Sequence, residues 1–195
     1  MEKKYRLTDE TIEFNGVKLH RIEALKDFSL VKKGDRGGFV QSEKNLSHIG
    51  SCWIFDNAIV YGKAEVFGDA MIYGSAKVCG YAYVCGNVKL CDKTKVYGNA
   101  YVSGNIKVCG DTTIRGFAKV SSHSDYIVFK NWWSSGRYFT WTRSDNMWSA
   151  GCFYGTGKEL IEKAYKDSEL SGREYQRVVK YVESILRDEN QNQTL

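Results

Sequence analysis

Residues 57–122 read NAIVYG KAEVFG DAMIYG SAKVCG YAYVCG NVKLCD KTKVYG NAYVSG NIKVCG DTTIRG FAKVSS, a six-residue phrase written eleven times without an insertion. The phrase is x-Ala-x-Val-x-Gly, and residues 51–56 (SCWIFD) form a degraded twelfth copy. Repetition at a fixed short period indicates a solenoid, because each unit can bury its apolar face only against its neighbours. The repeat therefore decides the fold.

Each hexad carries one aliphatic residue flanked by outward side chains, which is the period-two alternation of a β-strand. A small or slim residue such as Ala64 follows four positions later and fits a tight interior corner, and the intervening glycine allows a turn. We expect short strands stacked as a mainly β, parallel β-helix. The residues predicted to face its interior are Val60, Val66, Ile72, Val78, Val84, Leu90, Val96, Val102, Val108, Ile114 and Val120.

The repeats resemble those of the hexapeptide-repeat proteins, whose units wind a left-handed parallel β-helix with three hexads per coil. Twelve hexads would then make about four coils, roughly 4.8 Å apart as neighbouring strands are. The likeness extends to KYRLTDETIEFNGVKLHRIEALKDF (4–28), KKGDRGGFVQSEKNLSHIGSCWIFDNA (32–58) and AGCFYGTGKELIEKAYKD (150–167). These stretches are similar to hexapeptide-repeat proteins of phages and prophages that are often labelled only as polymer-forming. The resemblance implies a phage accessory protein working in the bacterial cytoplasm.

An 18-residue coil would place residues 18 apart above one another and sort the outward side chains into three faces. We number the faces by their first outward pair: face one from Ile59 and Tyr61, face two from Glu65 and Phe67, and face three from Trp53 and Phe55. Face one stacks basic side chains with tyrosines, which can neutralise phosphates and stack bases. We predict there a binding wall for a nucleotide or nucleic-acid ligand, made of Tyr61, Lys77, Lys95, Tyr97 and Arg115.

Faces two and three are too aromatic for a wall that meets only water, and a monomer should hide such an apolar patch. Burial against another subunit or against a flanking segment would hide it. Hexapeptide-repeat proteins are commonly trimers, so the resemblance favours a homotrimer. The predicted oligomer interface comprises Trp53, Phe55, Met71, Tyr73, Tyr83 and Tyr101.

The chain is predicted to have three parts: an N-terminal β cap at 1–50, the hexapeptide-repeat β-helix at 51–122 and a small α+β domain at 123–195. The cap contains a hairpin at Asn15-Gly16, a dipeptide typical of type I′ turns. The last part has predicted strands at 126–130, 137–142 and 147–154. Two helices follow, with capping boxes at Thr156/Glu159 and Ser171/Glu174. Four of its aromatic residues are predicted to contact a partner: Trp132, Trp133, Trp141 and Trp148.

The bulk composition describes an ordinary globular chain of 195 residues, 43% of them apolar, with a formal net charge of +5. No signal sequence and no apolar run of about 18 residues is present, so we expect no membrane span and a cytoplasmic location. Six cysteines without a CxxC pair favour free thiols in a reducing compartment. The modest positive charge allows an acidic or phosphate-bearing partner but does not by itself indicate a nucleic-acid binder.

Candidate catalytic and metal-binding residues are few. Many left-handed β-helix proteins are acyltransferases with a histidine base, but His20, His48 and His123 all lie outside the hexads, and only the last two could border a groove between subunits. Cys91 and Cys109 would stack one coil apart, where they could bind a soft metal or form a disulfide; small surface apolar residues are the favoured interpretation. No metal and no cofactor is predicted.

These observations lead to the hypothesis of a non-enzymatic, phage-encoded binding protein. It would inhibit a host antiphage defence, either by blocking a nuclease complex as anti-CRISPR proteins do or by sequestering a nucleotide messenger. One alternative is an acyltransferase-like enzyme with a site between subunits near His48 or His123. The other is a structural or assembly protein of the phage.

Overall fold

The computed structural model describes residues 2–192, and its first two strands form the predicted hairpin. Strand β1 (Tyr5–Phe14) pairs antiparallel with β2 (Val17–Ala24). The turn residues Asn15 and Gly16 have φ of 51° and 72°, as a type I′ turn requires. Strand β3 (Arg36–Val40) then pairs antiparallel with β2.

Twelve two-residue strands follow between residues 53 and 120. Every third strand pairs in parallel, at a register of 18 residues, so that Lys77, for example, lies beside Lys95. This register confirms the three predicted faces and the parallel β-helix. The strands are β4 (Trp53–Ile54), β5 (Ile59–Val60), β6 (Glu65–Val66), β7 (Met71–Ile72), β8 (Lys77–Val78), β9 (Tyr83–Val84), β10 (Lys89–Leu90), β11 (Lys95–Val96), β12 (Tyr101–Val102), β13 (Lys107–Val108), β14 (Thr113–Ile114) and β15 (Lys119–Val120).

The interior of the β-helix is built as the hexad predicts. All eleven aliphatic positions from Val60 to Val120 are at most 1% exposed. Most corner positions are alanines that are fully buried, and the corner threonines Thr94 and Thr112 are also buried. Inside, the hydroxyl of Thr94 donates to the carbonyl of Val108 at 3.2 Å, which satisfies a polar group that would otherwise be costly to bury.

The N-terminal segment adds a coil that the hexad count did not predict. Strand β3 pairs in parallel with β5, and Leu46 forms a parallel bridge with Val66. Face one is therefore a seven-stranded sheet in the order β1-β2-β3-β5-β8-β11-β14, whereas faces two and three have four strands each. Gly38 permits this packing, because a Cβ there would lie 2.4 Å from the carbonyl oxygen of Ala58.

Two kinds of residue make the turns between strands. Gly80 has φ of +71°, and a Cβ there would lie 2.9 Å from the amide nitrogen of Gly98, so glycine is favoured by both conformation and space. Asp56 and Asp92 take the same left-handed conformation, with φ of 52° and 58°. The Asp92 carboxylate accepts the N–H of Gly110, one coil further on, at 2.9 Å.

The chain divides into two compact units. The first runs to Ile127 and also contains Thr142–Asp145; the second consists of Val128–Trp141 and the chain from Asn146 onward. The C-terminal sheet has four strands in chain order, one more than predicted, because a turn at residues 151–152 splits the predicted third strand. These strands are β16 (Tyr126–Lys130), β17 (Tyr138–Thr142), β18 (Met147–Ala150) and β19 (Phe153–Gly155).

Two helices follow, α1 (Gly157–Asp167) and α2 (Glu169–Asn192). The predicted capping box of α1 is present, since the amide of Glu159 donates to the Thr156 hydroxyl at 3.3 Å and the Thr156 amide donates to the Glu159 carboxylate at 2.8 Å. The predicted capping box at Ser171 is wrong, because that residue lies inside α2. The Ser171 amide donates to the Ser168 hydroxyl at 3.1 Å, which places the cap three residues earlier.

Candidate functional site

A groove of about 330 Å³ runs along face one of the β-helix. It holds four of the five residues of the predicted binding wall, namely Tyr61, Lys77, Lys95 and Tyr97, and Arg115 lies next to it through its contact with Tyr97. We call this concavity the face-one groove. Its full lining is Phe14, Asn15, Tyr61, Lys77, Cys79, Lys95 and Tyr97.

The N-terminal hairpin supplies one end of the face-one groove. Phe14, the last residue of β1, packs edge-on against Tyr61 with ring centroids 5.8 Å apart. The Lys77 ammonium lies 4.2 Å from the centroid of the Phe14 ring, a distance at which a cation and an aromatic face attract. Burial, with a smaller contribution from a hydrogen bond to Cys79, raises the pKa of Tyr61 to about 12, so this phenol is neutral at physiological pH.

The cations of face one differ in how firmly they are held. Arg115 donates to the Tyr97 hydroxyl at 2.8 Å. Lys95 lies 3.7 Å from a carboxylate oxygen of Asp111, in a pair whose side chains are both more than 40% exposed, and such pairs contribute little. Within residues 2–192, Lys77 has no acidic partner within 4 Å. Lys77 and Lys95 are therefore the cations most readily available to an anionic ligand.

The predicted oligomer interface is partly covered by the chain itself. Trp53 is 1% exposed, because the rings of Tyr5 and Phe28 pack edge-on against it at 6.2 and 5.4 Å. Phe55 and Tyr73 stack on each other at 4.5 Å, and Met71 is 8% exposed. On face three, the N-terminal segment thus covers part of the apolar surface that we predicted another subunit to cover.

Face two keeps its aromatic residues at the surface. Tyr83 and Tyr101 are 40% and 41% exposed, and Phe67, Tyr83 and Tyr101 form a ladder with centroids 6.4 and 6.5 Å apart. The thiol of Cys85 lies against this ladder, 3.3 Å from the Tyr101 hydroxyl. Of the predicted interface residues, these two tyrosines are the ones that the structure leaves most exposed.

Two of the four tryptophans predicted to contact a partner lie in the C-terminal core instead. Trp141 is fully buried and Trp148 is 2% exposed, so neither presents a surface to a partner. Trp133 packs edge-on against Tyr175 at 5.0 Å. Trp132, at 73% exposed, is the member of this set that remains at the surface.

The three histidines have different surroundings. The Nδ1 atom of His20 lies 3.2 Å from the carbonyl oxygen of Thr8. The Nδ1 atom of His48 accepts the Lys4 N–H at 3.3 Å, which places the proton of the neutral ring on Nε2, 3.7 Å from the Glu43 carboxylate. Neither nitrogen of His48 then offers a lone pair to a substrate. His123 is exposed, in a 3-10 turn (His123–Asp125) after the last coil.

Acidification is expected to destabilise the protein through His48. Burial lowers the pKa of His48 from its ordinary value of 6.5, so the unfolded chain takes up this proton at a higher pH than the folded chain. The contribution of His48 to stability should be fully present above pH 6.5 and be lost as the pH falls through the lower folded value. Thermal melts between about pH 8 and 5 would measure it. His48→Asn should lose less stability over this range, and equal losses would contradict the assignment.

A buried polar cluster that the sequence did not reveal holds the N-terminus to the β-helix. The Lys4 ammonium donates to the carbonyl oxygens of Gly50 and Cys52 at 3.2 and 2.8 Å and to the Cys52 thiol at 3.2 Å. Burial lowers the pKa of Lys4 and raises that of Cys52. Lys4 and Cys52 are 48 positions apart and belong to no recognisable sequence motif. Only the folded structure therefore shows that they are in contact.

The cysteines depart from the prediction of free thiols. Cys91 and Cys109 are joined by a disulfide with a Cα–Cα distance of 4.7 Å, because the 18-residue register places them at the same position of successive coils. Cys52, Cys79, Cys85 and Cys152 form no disulfide. Within residues 2–192, no helix is long and apolar enough to cross a bilayer.

Part of the chain is similar to a known protein. No family model matches the chain. The chain is 39% identical over 71 residues to a protein of Escherichia coli (strain K12) named "Uncharacterized acetyltransferase YdcK". The match covers 32% of this chain and 22% of that protein, so the chain spans a small part of its relative. Together with the parallel β-helix, the match fits the class of hexapeptide-repeat β-helix proteins.

The match also corrects a functional prediction. We predicted that the protein is not an enzyme, because no catalytic motif interrupts the hexads. That prediction is wrong on this comparison, because the matched relative is named as an acetyltransferase. The relative gives no support to a phage origin or to inhibition of a host defence.

Proposed function

We propose that this protein is an acyl-transfer enzyme that binds an acyl-coenzyme A donor along the face-one groove. The observation that carries the proposal is the groove itself, in which Lys77 and Lys95 lie in file with Tyr61 and Tyr97 along the β-helix axis. The likeness to a named acetyltransferase supports the same reaction class.

The face-one groove has the chemistry that a nucleotide-containing donor needs. The ammonium groups of Lys77 and Lys95 can neutralise phosphates, and neither is committed to a strong ion pair. The tyrosine rings can stack on an adenine base. Phe14 closes one end and turns an open wall into a concave site, as small-molecule sites generally are.

Acyl transfer also needs a base. The acceptor's nucleophilic atom attacks the thioester carbonyl, its proton passes to the base, and the thiolate of coenzyme A leaves. His48 is unsuited, since its Nδ1 accepts a backbone N–H. The exposed His123 is the proposed base, and it would act at a groove completed by another subunit.

A homotrimer is part of this proposal. The exposed ladder of Phe67, Tyr83 and Tyr101 is an apolar strip that a second copy of the chain can cover, as hexapeptide-repeat trimers do. Association through face two would bring a neighbouring subunit beside each β-helix. The functional unit would then be the oligomer.

Donor binding can be measured with acetyl-coenzyme A by titration calorimetry. Replacing Lys77 and Lys95 together by glutamate should remove most of the affinity, because two attractive charges become repulsive. The matched control is Lys89→Glu, which changes the same hexad position on face three, away from both the groove and the proposed subunit contact, and should leave affinity unchanged. Equal affinity in the double variant and the control would contradict a donor site on face one.

Transfer can be followed by release of free coenzyme A thiol in the presence of a panel of amine and hydroxyl acceptors. His123→Ala should reduce turnover by about 100-fold or more, the usual contribution of a general base, without weakening donor binding. His20→Ala is the control and should retain turnover. If the wild-type protein neither bound the donor nor released thiol, the proposed acyl-transfer function would be contradicted.

A further inference from the structure

A second candidate site lies on face three, away from the face-one groove. Its cavity, of about 420 Å³, is lined by Tyr73, Lys89, Cys91, Asp92, Lys107 and Cys109. Ligand atoms of Cys91, Asp92 and Cys109 all lie within 4.8 Å of one another. Nothing in the acyl-transfer proposal uses these residues.

We propose that, when Cys91 and Cys109 are reduced, their two sulfurs and the Asp92 carboxylate bind a thiophilic divalent cation, Zn²⁺ in the first place. Two thiolates and one carboxylate are ligands that Zn²⁺ accepts, and the fourth position of its tetrahedron would face the cavity. Binding would form two metal–sulfur bonds and release the two thiol protons to solvent. A low-molecular-weight disulfide can take two electrons and the two thiol protons from Cys91 and Cys109, being reduced to two thiols itself, and the reverse exchange with such thiols restores the reduced pair. The disulfide removes both sulfur ligands, so the oxidised protein cannot bind the metal in this way.

The β-helix positions these ligands without help from a loop. Cys91 and Cys109 follow β10 and β13, which pair in parallel with Lys89 beside Lys107, so the two sulfurs lie one coil apart on the same face. Tetrahedral zinc with sulfur ligands at about 2.3 Å holds them somewhat under 4 Å apart. In the disulfide the two sulfurs are bonded to each other, so after reduction their side-chain torsions must rotate to separate them, from Cα atoms that lie 4.7 Å apart.

Asp92 lies in the turn beside the two sulfurs, with a carboxylate oxygen within 4.8 Å of both. It stands where most hexads have glycine, with φ of 58°, and one carboxylate oxygen accepts the N–H of Gly110 at 2.9 Å. A hydrogen bond to a ligating carboxylate fixes its direction and tunes the metal site. The second oxygen remains available for a metal.

The charges around the site are compatible with a bound cation. Two thiolates and a carboxylate carry three negative charges against two on the metal, which leaves one in excess. The ammonium groups of Lys89 and Lys107 line the same cavity and offset that excess. They also favour the thiolate over the thiol, which is the form that ligates.

The test is metal binding by the full-length protein, reduced and then freed of reductant under anaerobic conditions. Titration with Zn²⁺ against a chromophoric chelator should show one site per chain. Co²⁺ as a probe should give the sulfur-to-metal absorption of a tetrahedral thiolate complex. Zn²⁺ should also protect Cys91 and Cys109 from alkylation, read by peptide mass spectrometry. The same preparation, oxidised to the disulfide, should lose this site.

Variants separate the site from other thiols of the chain. The double variant Cys91→Ser and Cys109→Ser should lose the Co²⁺ absorption. Asp92→Asn, which keeps the left-handed turn and an acceptor for Gly110, should weaken Zn²⁺ by at least about tenfold. Cys85→Ser is the control, because Cys85 occupies the same hexad position on face two but stacks on Ser103, and it should bind normally. Equal binding by the double variant, or by the oxidised protein, would overturn the proposal.

Discussion

Replacing Val66 by aspartate is expected to unfold the β-helix. Val66 is 1% exposed and lies between Leu46 of the N-terminal coil and Val84 of the next hexad coil. A carboxylate there would be buried without a partner, at a cost of several kcal/mol. That is comparable with the whole stability of a typical domain, about 5–15 kcal/mol. Far-ultraviolet circular dichroism and urea titration would show the lost cooperative transition.

The matched control is the neighbouring residue on the same strand. Glu65 is exposed. The variant Glu65→Asp puts an aspartate next to position 66 on the same strand, but on the side of the backbone that faces solvent. Its effect should stay within about 0.5 kcal/mol, as for most surface substitutions. A Val66→Asp protein that melts like Glu65→Asp would show that the hexad valines do not face a common interior.

Replacing Trp53 by alanine is expected to lower the free energy of unfolding by about 3–5 kcal/mol, the usual loss for a buried large aromatic side chain. The indole is 1% exposed and packs edge-on against Tyr5 and Phe28. Its loss should therefore loosen the N-terminal segment from face three. Urea titration measures the stability, and limited proteolysis should detect earlier cleavage before residue 50.

Trp132→Ala is the control for this substitution. It removes the same side chain from a position that is 73% exposed, so its effect should be near the range of ordinary surface changes. If Trp53→Ala were equally mild, the N-terminal coil would owe its attachment to other contacts. The Lys4 cluster would then be the next element to test.

The fold could be predicted from sequence because the hexad is both periodic and local. An aliphatic residue every six positions fixes which side chains point inward, and the 18-residue coil follows from the hexapeptide-repeat resemblance. The hairpin was equally predictable, since Asn15-Gly16 specifies its turn. The additional coil was not, because Phe39 and Leu46 lie outside the hexad and join the β-helix only through tertiary pairing.

The candidate site could be predicted only in part. Stacking by 18 correctly brought Tyr61, Lys77, Lys95 and Tyr97 to one face. The contribution of Phe14 was missed, because it depends on how the hairpin folds over that face. The exposure of aromatic residues was predicted least well, because residue type alone does not distinguish the buried Trp141 from the exposed Trp132.

The functional prediction failed for a different reason. A glycine-rich loop or a similar catalytic motif can be recognised from the spacing of its residues along the chain. In an enzyme that builds its site between subunits, the reacting groups share no such spacing. Uninterrupted hexads were therefore not sufficient ground for predicting that the protein is not an enzyme.

The 18-residue register has a consequence for how such chains can change length. Excision of residues 63–80, one full coil, would leave every downstream side chain on its original face and only shorten the molecule. Loss of a single hexad would instead rotate all that follows by a third of a turn, so that Lys95 would no longer lie in file with Tyr61. Descendants of this gene should accordingly tolerate gains and losses in whole coils far better than in single repeats.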